Sequence, residues 1–247
     1  MRSQRRWAGA GAALPVLLAL ALDPLAGAVA PGPSGPLERM RDLIDSERAL
    51  GLFVEPSVHA WAAARPLLLH ALELTYVGAH VPLTLVALAW VCIARRQAFP
   101  LARDTFVATQ TLCAISYLVA PTAPPRMVPD LGYSAAPGPG DHGLGRLVQS
   151  PYAAMPSAHM AFALVTAGIV VWLARSRVVR VAALAYPPAV LMEILATGNH
   201  LWLDAVGGAV AAATGLGLAR WHPGRRPRVR PAMEPAEVPG VLVQEAR

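Results

Sequence analysis

Lysine is missing from this chain altogether, cysteine occurs twice, and aromatic and charged residues make up only 6% and 15% of 247 positions. Each shortage excludes something. Two cysteines supply neither a disulfide framework nor a structural zinc set, and Cys92 and Cys113, set within apolar runs, read as packing residues. Soluble domains carry about 25% charged residues, so a chain with 15% that is 55% hydrophobic is not an ordinary soluble domain. No stretch alternates polar and apolar residues as a membrane β-barrel requires, and no repeat of solenoid length recurs. What the chain has in plenty is proline, glycine and long apolar runs.

The apolar runs predict an all-α polytopic membrane protein, a bundle of six transmembrane helices over roughly Trp7–Ala30, Pro66–Ala94, Asp104–Ala120, Ala158–Ala174, Val178–Thr197 and Leu201–Ala219. The net charge of +6 rests wholly on arginine. A pI near 10.1 invites a nucleic-acid reading, but the arginines lie in alternate loops, not in one patch. Arg2, Arg5 and Arg6, then Arg95, Arg96 and Arg103, then Arg175, Arg177 and Arg180, then Arg220, Arg225, Arg226, Arg228 and Arg230 flank spans on one side. The opposite loops dilute fewer arginines with Glu38, Asp42, Asp45, Glu47, Glu55, Asp130 and Asp141. The positive-inside rule then orients a multi-pass cell-membrane protein with both termini cytoplasmic. The expected partner is the lipid bilayer, with no nucleic acid.

Along the chain, residues 1–30 form an N-terminal membrane anchor or a signal-like segment: Ala28-Val29-Ala30 resembles a cleavage site, while Pro31 after it favours an uncleaved anchor. Residues 31–220 form the membrane-embedded domain, and 221–247 a polar, Pro-rich basic tail expected to be disordered and cytoplasmic. Leu37–Phe53 sets Leu37, Met40, Leu43, Ile44 and Leu50 against Arg39, Asp42, Asp45, Glu47 and Arg48, the spacing of an amphipathic helix on the outer surface or capping the bundle. Residues 121–156 are a long outer loop, stiff where prolines crowd Pro121–Arg126. In the last span Gly207, Ala211, Gly215 and Ala219 recur every four residues, with Gly208 and Ala212 beside them, a stripe that permits close helix approach.

The residues able to do chemistry gather at one predicted face. One helix down and one back separate His159 from His200, so both imidazoles return to the outer, extracytoplasmic side. His200 and Asp204 stand at i and i+4, so on a helix beginning near Asn199 the carboxylate accepts the proton of one ring nitrogen and leaves the other as a nucleophile. His159 would protonate a leaving oxygen, and Arg126 would offer a planar fork to phosphate. Ser157, Asn199 and the first amides of the helix after Ser157 would add phosphate contacts. Such a set performs phosphoryl transfer through a phosphohistidine with no metal or other cofactor. Tyr76 and His80, sharing a face by i,i+4 spacing, and Glu193 would support these groups. Two alternatives stay open: a catalytically silent membrane scaffold of the same fold, and a haem or metal protein using His70, His80, His159 and His200.

Pro121-Thr122-Ala123-Pro124-Pro125-Arg126, Met155-Pro156-Ser157-Ala158-His159 and Thr197-Gly198-Asn199-His200 through Asp204 resemble, in order and spacing, the three motifs of the type 2 phosphatidic acid phosphatase superfamily. The closer likeness is to the branch of inositol phosphorylceramide synthases and their bacterial relatives, which Ile44–Arg48, Glu55-Pro56, Tyr76 and His80 also resemble. The resemblance covers roughly residues 37–219. It implies a six-helix bundle, His200 as nucleophile, Asp204 as its orienter, His159 as general acid and Arg126 as phosphate clamp, acting on a membrane lipid phosphate. The chain departs from the broader pattern in having no lysine before Arg126 and Glu193-Ile194 where a Ser-Arg pair is usual. Fewer cations then face the phosphate, and Glu193 either pairs with Arg126, meets an acceptor hydroxyl, or is bonded within the bundle. The sequence names neither the lipid, the acceptor nor an oligomeric state.

Overall fold

The structure, a computed structural model, describes residues 2–129, 131–133 and 150–221. Most of the Pro/Gly-rich loop, including Pro137–Gly140, and the tail from residue 222 lie outside the described residues. The elements are α1 (Arg2–Ala28), α2 (Ser34–Ala49), α3 (Glu55–Ala63), α4 (Pro66–Gly78), α5 (His80–Ala94), α6 (Phe99–Val119), a 3-10 turn at Pro125–Met127, α7 (Ala158–Leu173), α8 (Arg177–Ala196) and α9 (Trp202–Trp221). Among the described residues there is no strand, only a single parallel bridge between Thr122 and Ala153.

By length and hydropathy α8 and α9 can each cross a membrane, and α4 with α5 counts as a third span if the bent pair is taken together. Ala13–Ala28 and α7 are apolar but shorter. The six spans read from the sequence are therefore not all matched by helices of spanning length. Large apolar side chains nonetheless stay exposed on outward faces, among them Leu67, Val86, Ile93, Val178, Val181, Leu184 and Val210. Such outward apolar faces suit lipid, which replaces water as the solvent for them.

The run Pro66–Ala94, expected as one straight helix, bends by 49° between α4 and α5. Pro82 accounts for the break: it has no N–H to give the Gly78 carbonyl, and its ring crowds that carbonyl. The bend also undoes the shared helix face on which Tyr76 and His80 were paired. The sixth helix starts at Trp202, not near Asn199, so His200 sits in the turn just before it.

Three apolar clusters hold the molecule together. The largest joins α1, α5, α6, α7 and α9 through Val16, Leu88, Phe106, Cys113, Phe162 and Ala212, among others. A second sets Tyr76 against Ala163, Val190, Ile194 and Ala205. A third, Met40, Ile44, Val128, Ala154 and Leu201, seats α2 on the segments that enter α7 and α9. Helix α9 is central, as its small residues predict. A Cβ on Gly208 would collide with the Ser157 carbonyl, and one on Gly215 with the Thr109 hydroxyl and, at 3.0 Å, the Thr105 carbonyl.

These glycines yield a graded prediction. Gly208→Ala and Gly215→Ala should each cost about 1–3 kcal/mol, since backbone cannot yield as a side-chain tip can. Gly168→Ala and Gly217→Ala, with nothing within 4 Å, should be neutral or stabilising by up to about 1 kcal/mol. Thermal unfolding of the four detergent-solubilised variants measures the contrast, and equal losses at all four positions would refute the close-approach account.

Candidate active site

Three separate stretches are tied into one platform by backbone bonds. Thr122 N–H donates to the Tyr152 carbonyl at 2.9 Å and Ala154 N–H to the Thr122 carbonyl at 3.1 Å, which clips the proline-rich segment to the segment entering α7. Arg126 N–H donates to the Gly198 carbonyl at 2.9 Å, joining that segment to the turn before α9. Ser157 N–H donates to the Asp204 carbonyl at 2.9 Å, locking the start of α7 to the start of α9. Gly198 makes the turn possible with φ of +66°, a conformation open to glycine at little cost. Prolines serve here because they fix φ and leave few dihedrals to order.

On this platform His200 is 2% exposed. Its Nδ1 lies 2.9 Å from the Ala154 carbonyl. A carbonyl only accepts, so Nδ1 carries the hydrogen and Nε2 keeps its lone pair. Asp204 Oδ2 stands behind, 3.6 Å from Nδ1, and accepts Leu201 N–H at 2.8 Å. The shortest contact fixing the tautomer is thus the Ala154 carbonyl, with the Asp204 carboxylate one step further off and capping the entry to its own helix.

The imidazole of His159 approaches that of His200 with centroids 5.6 Å apart. It stacks on Tyr76 at 4.0 Å, and its Nε2 faces the Tyr76 carbonyl at 3.3 Å. The Tyr76 hydroxyl is 3.4 Å from His200 Nε2, so the phenol bridges the two imidazoles. Arg126 donates from Nε to Asn199 Oδ1 at 2.9 Å, and Asn199 donates to the Thr197 hydroxyl at 2.9 Å. The guanidinium is therefore anchored one residue before His200. Ser157 caps α7 by accepting Met160 N–H at 3.3 Å and is fully buried.

His80 and Glu193 form a second tier. His80 Nε2 is 3.1 Å from Glu193 Oε2, and its Nδ1 is 2.7 Å from the Tyr186 hydroxyl. Glu193 Oε1 also accepts the Thr75 hydroxyl at 2.8 Å. Of the three partners considered for Glu193, these contacts are the ones made within the bundle. The His80 ring meets His159 edge-on at 5.0 Å, so this tier backs the second imidazole. Tyr76 and His80 both reach the site, though through the bend between their helices and not through a common face.

Several participants escaped the sequence. The Ala154 carbonyl has no side-chain signature. Thr75 and Tyr186 look like ordinary residues of apolar helices. His59 donates from Nδ1 to the Ala196 carbonyl at 2.7 Å, bracing the end of α8. Glu47 was assigned to the polar face of its amphipathic helix, yet it is fully buried, as is Glu55. The two carboxylates accept Leu203 N–H at 2.7 Å and Trp202 N–H at 2.9 Å, the opening amides of α9. A signal existed: Met40, Ile44 and Glu47 fall at i, i+4 and i+7, on one stripe. Burial pushes Glu47 up to about 8, against the pull of the Leu203 amide and with Glu55 adding to the rise. Burial likewise raises Tyr133, which faces both glutamates.

An all-helical bundle that brings two imidazoles, a phenol and a guanidinium to one junction has the means for phosphoryl chemistry. Comparison with protein families agrees: the PAP2 superfamily matches over residues 41–218, most of the chain and all three motifs. The chain belongs to the PAP2 superfamily, whose membership points to phosphatase or phosphotransferase activity on phosphate esters. Comparison with curated proteins and with solved structures gives no match.

Removing the carboxylate of Glu193 leaves the buried His80 Nε2 without its acceptor, while Thr75 keeps the Ala71 and Leu72 carbonyls, and an orphaned buried donor costs about 1–3 kcal/mol. Glu193→Ala should therefore lower the unfolding temperature clearly more than Glu193→Gln, whose amide oxygen still accepts. Comparable melting of the two variants would show that the tier does not depend on acceptor chemistry.

Proposed function

We propose that this protein is an integral-membrane lipid phosphatase or phosphotransferase, of the inositol phosphorylceramide synthase-like kind, working through a phosphohistidine on His200. The substrate is a phospholipid or polyprenyl phosphate that enters from the outer leaflet of a six-span bundle with both termini cytoplasmic. One observation carries the reading: His200 Nδ1 is committed to the Ala154 carbonyl at 2.9 Å, which leaves Nε2 as a lone pair 3.4 Å from the Tyr76 hydroxyl and beside His159.

In the first half-reaction, His200 Nε2 attacks phosphorus and a P–N bond forms as the P–O bond to the leaving group breaks. His159 enters this step as the imidazolium: its Nε2–H faces the Tyr76 carbonyl, and the proton on Nδ1 goes to the departing oxygen, leaving a neutral imidazole. The phosphorylated imidazole keeps its Nδ1–H and is cationic, which the Ala154 carbonyl and the Asp204 carboxylate, 3.6 Å away, favour electrostatically. Arg126 pairs with the phosphoryl oxygens, held to its task by Asn199. Ser157 and Asn199 complete the phosphate cradle, and the Tyr76 hydroxyl follows the phosphoryl group from Nε2 to one of its oxygens. In the second half-reaction water or a lipid alcohol gives its proton back to His159 and attacks phosphorus, and the P–N electrons return to Nε2. Which acceptor reaches the intermediate decides between hydrolysis and transfer.

The test uses the purified full chain in detergent with a panel of lipid phosphates and a chelator present. Phosphate release or headgroup exchange is expected. His159→Ala should slow it by about 10²–10⁴-fold, the usual worth of a general acid, and His200→Ala by at least as much, with loss of an acid-labile, alkali-stable phosphoryl label. Full activity in His200→Ala, or strict dependence on an added metal ion, would sink the mechanism.

A further inference from the structure

Glu47 of α2 and Glu55 of α3 take no part in the reaction just described, yet both are fully buried. They meet at the N-terminus of α9, each with one oxygen on a consecutive amide: Glu55 Oε1 on Trp202 N–H at 2.9 Å, Glu47 Oε1 on Leu203 N–H at 2.7 Å. Their other oxygens, Glu47 Oε2 and Glu55 Oε2, are buried and receive no donor from the described residues. Two neighbouring carboxylates cut off from water are not both ionised, because each disfavours the charge of the other. A hydroxyl on one, directed at the free oxygen of the other, satisfies both at once.

We infer that Glu47 and Glu55 share a single proton, and that this acid–carboxylate pair is a positioning device which clamps the surface helices onto the first turn of α9 and so holds His200 in place. The acid form of Glu47 accepts Leu203 N–H on its carbonyl oxygen and donates its O–H to Glu55. The remaining single negative charge suits a helix N-terminus, where about half a positive charge resides. Glu47 faces Glu55 from α3, Asp204 from α9 and Tyr133 from the long loop. Asp204 Oδ1 and the Tyr133 hydroxyl are likewise buried without a partner among the described residues. A second negative charge placed among these groups meets acids and a phenol. A proton shared between the two carboxyls neutralises one of them and supplies the hydroxyl that the two free oxygens need.

The sign of the pH dependence follows. Glu47 sits near 4.5 when free and is pushed up to about 8 by burial and then by Glu55. Its stabilising contribution is complete below the free value and is lost as pH rises through about 8. Beyond that point two carboxylates repel across consecutive amides and the start of α9 loosens.

Only the link to catalysis rests on the proposed role of His200; the clamp itself does not. The experiment is amide hydrogen exchange of the full chain in lipid nanodiscs, read at Trp202 and Leu203, alongside the pH–rate profile on a lipid phosphate. Between about pH 6.5 and pH 9.5, protection in the native protein, corrected for intrinsic exchange, should fall by about tenfold or more. Glu47→Gln, whose amide donates permanently, should keep that protection and move the alkaline fall of kcat upward by at least about one pH unit with little change in KM. Glu55→Gln serves as a mirror if the first variant folds poorly. Flat native protection across the range, or a Gln variant that loosens in step with the native protein, overturns the proposal. Exchange as expected with no activity in any form counts against the phosphoryl-transfer reading and leaves the clamp standing.

Discussion

The bond from His200 Nδ1 to the Ala154 carbonyl, 2.9 Å long, is the constraint on which the rest of the structure turns. An imidazole with two equivalent nitrogens is not a directed nucleophile; one committed to an acceptor-only partner is. Fixing the partner falls to the chain around it. Ala154 is held by Thr122 across the parallel bridge, Thr122 belongs to the proline-stiffened segment that ends at Arg126, and Arg126 returns to Gly198 and Asn199, just ahead of His200. The three motifs thus close a loop of contacts, each segment fixing the next. Moving any one of them would displace both His200 and Arg126.

That loop explains which parts could be read from sequence. Apolar runs separated by arginines gave the helical character, and the four-residue recurrence of Gly207, Ala211, Gly215 and Ala219 marked α9 as central, because periodicity and residue volume are written in single letters. His159, His200, Asp204 and Arg126 were legible for the same reason, as side chains whose type limits their chemistry. Backbone groups were not. The Ala154 carbonyl makes the shorter contact with His200 Nδ1, with Asp204 behind it, and no residue type announces a carbonyl. Proline at position 82 is visible in the sequence, yet the apolar run Pro66–Ala94 predicts one span where the structure bends by 49°. Hydropathy averages over a missing N–H, and so hid the kink that carries Tyr76 and His80 to the site from two directions.

Glu193 and Glu47 illustrate how burial overrides local pattern. Each was first placed by what surrounds it in sequence, one near a catalytic motif and one on a polar helix face. In the folded chain each is surrounded by donors from distant segments: Thr75 and His80 for Glu193, the Leu203 amide for Glu47. A buried carboxyl needs such partners. The chain's scarcity of charge makes these choices informative, since Glu47, Glu55, Glu193 and Asp204, buried inside the bundle, lie against either an imidazole or a helix end.

The entry to α9 concentrates this expenditure. Leu201, Trp202 and Leu203 give their amides to Asp204, Glu55 and Glu47 in turn, so three carboxyls from three helices occupy a space where a phosphate could otherwise bind. A helix N-terminus is a natural anion site; here it is filled by the protein's own acids. On the proposed reading a substrate phosphate would be excluded from this end and would meet Arg126, Asn199 and the start of α7 instead. With no lysine in the chain to add a cation there, Arg126 is, on the proposed reading, the guanidinium that would meet the phosphate among the described residues. An anion bound by one guanidinium and several neutral donors would favour a phosphodiester, with a single charge, over a dianionic monoester. The same deficit of positive charge noted at the outset therefore bears on which phosphate ester this site would accept.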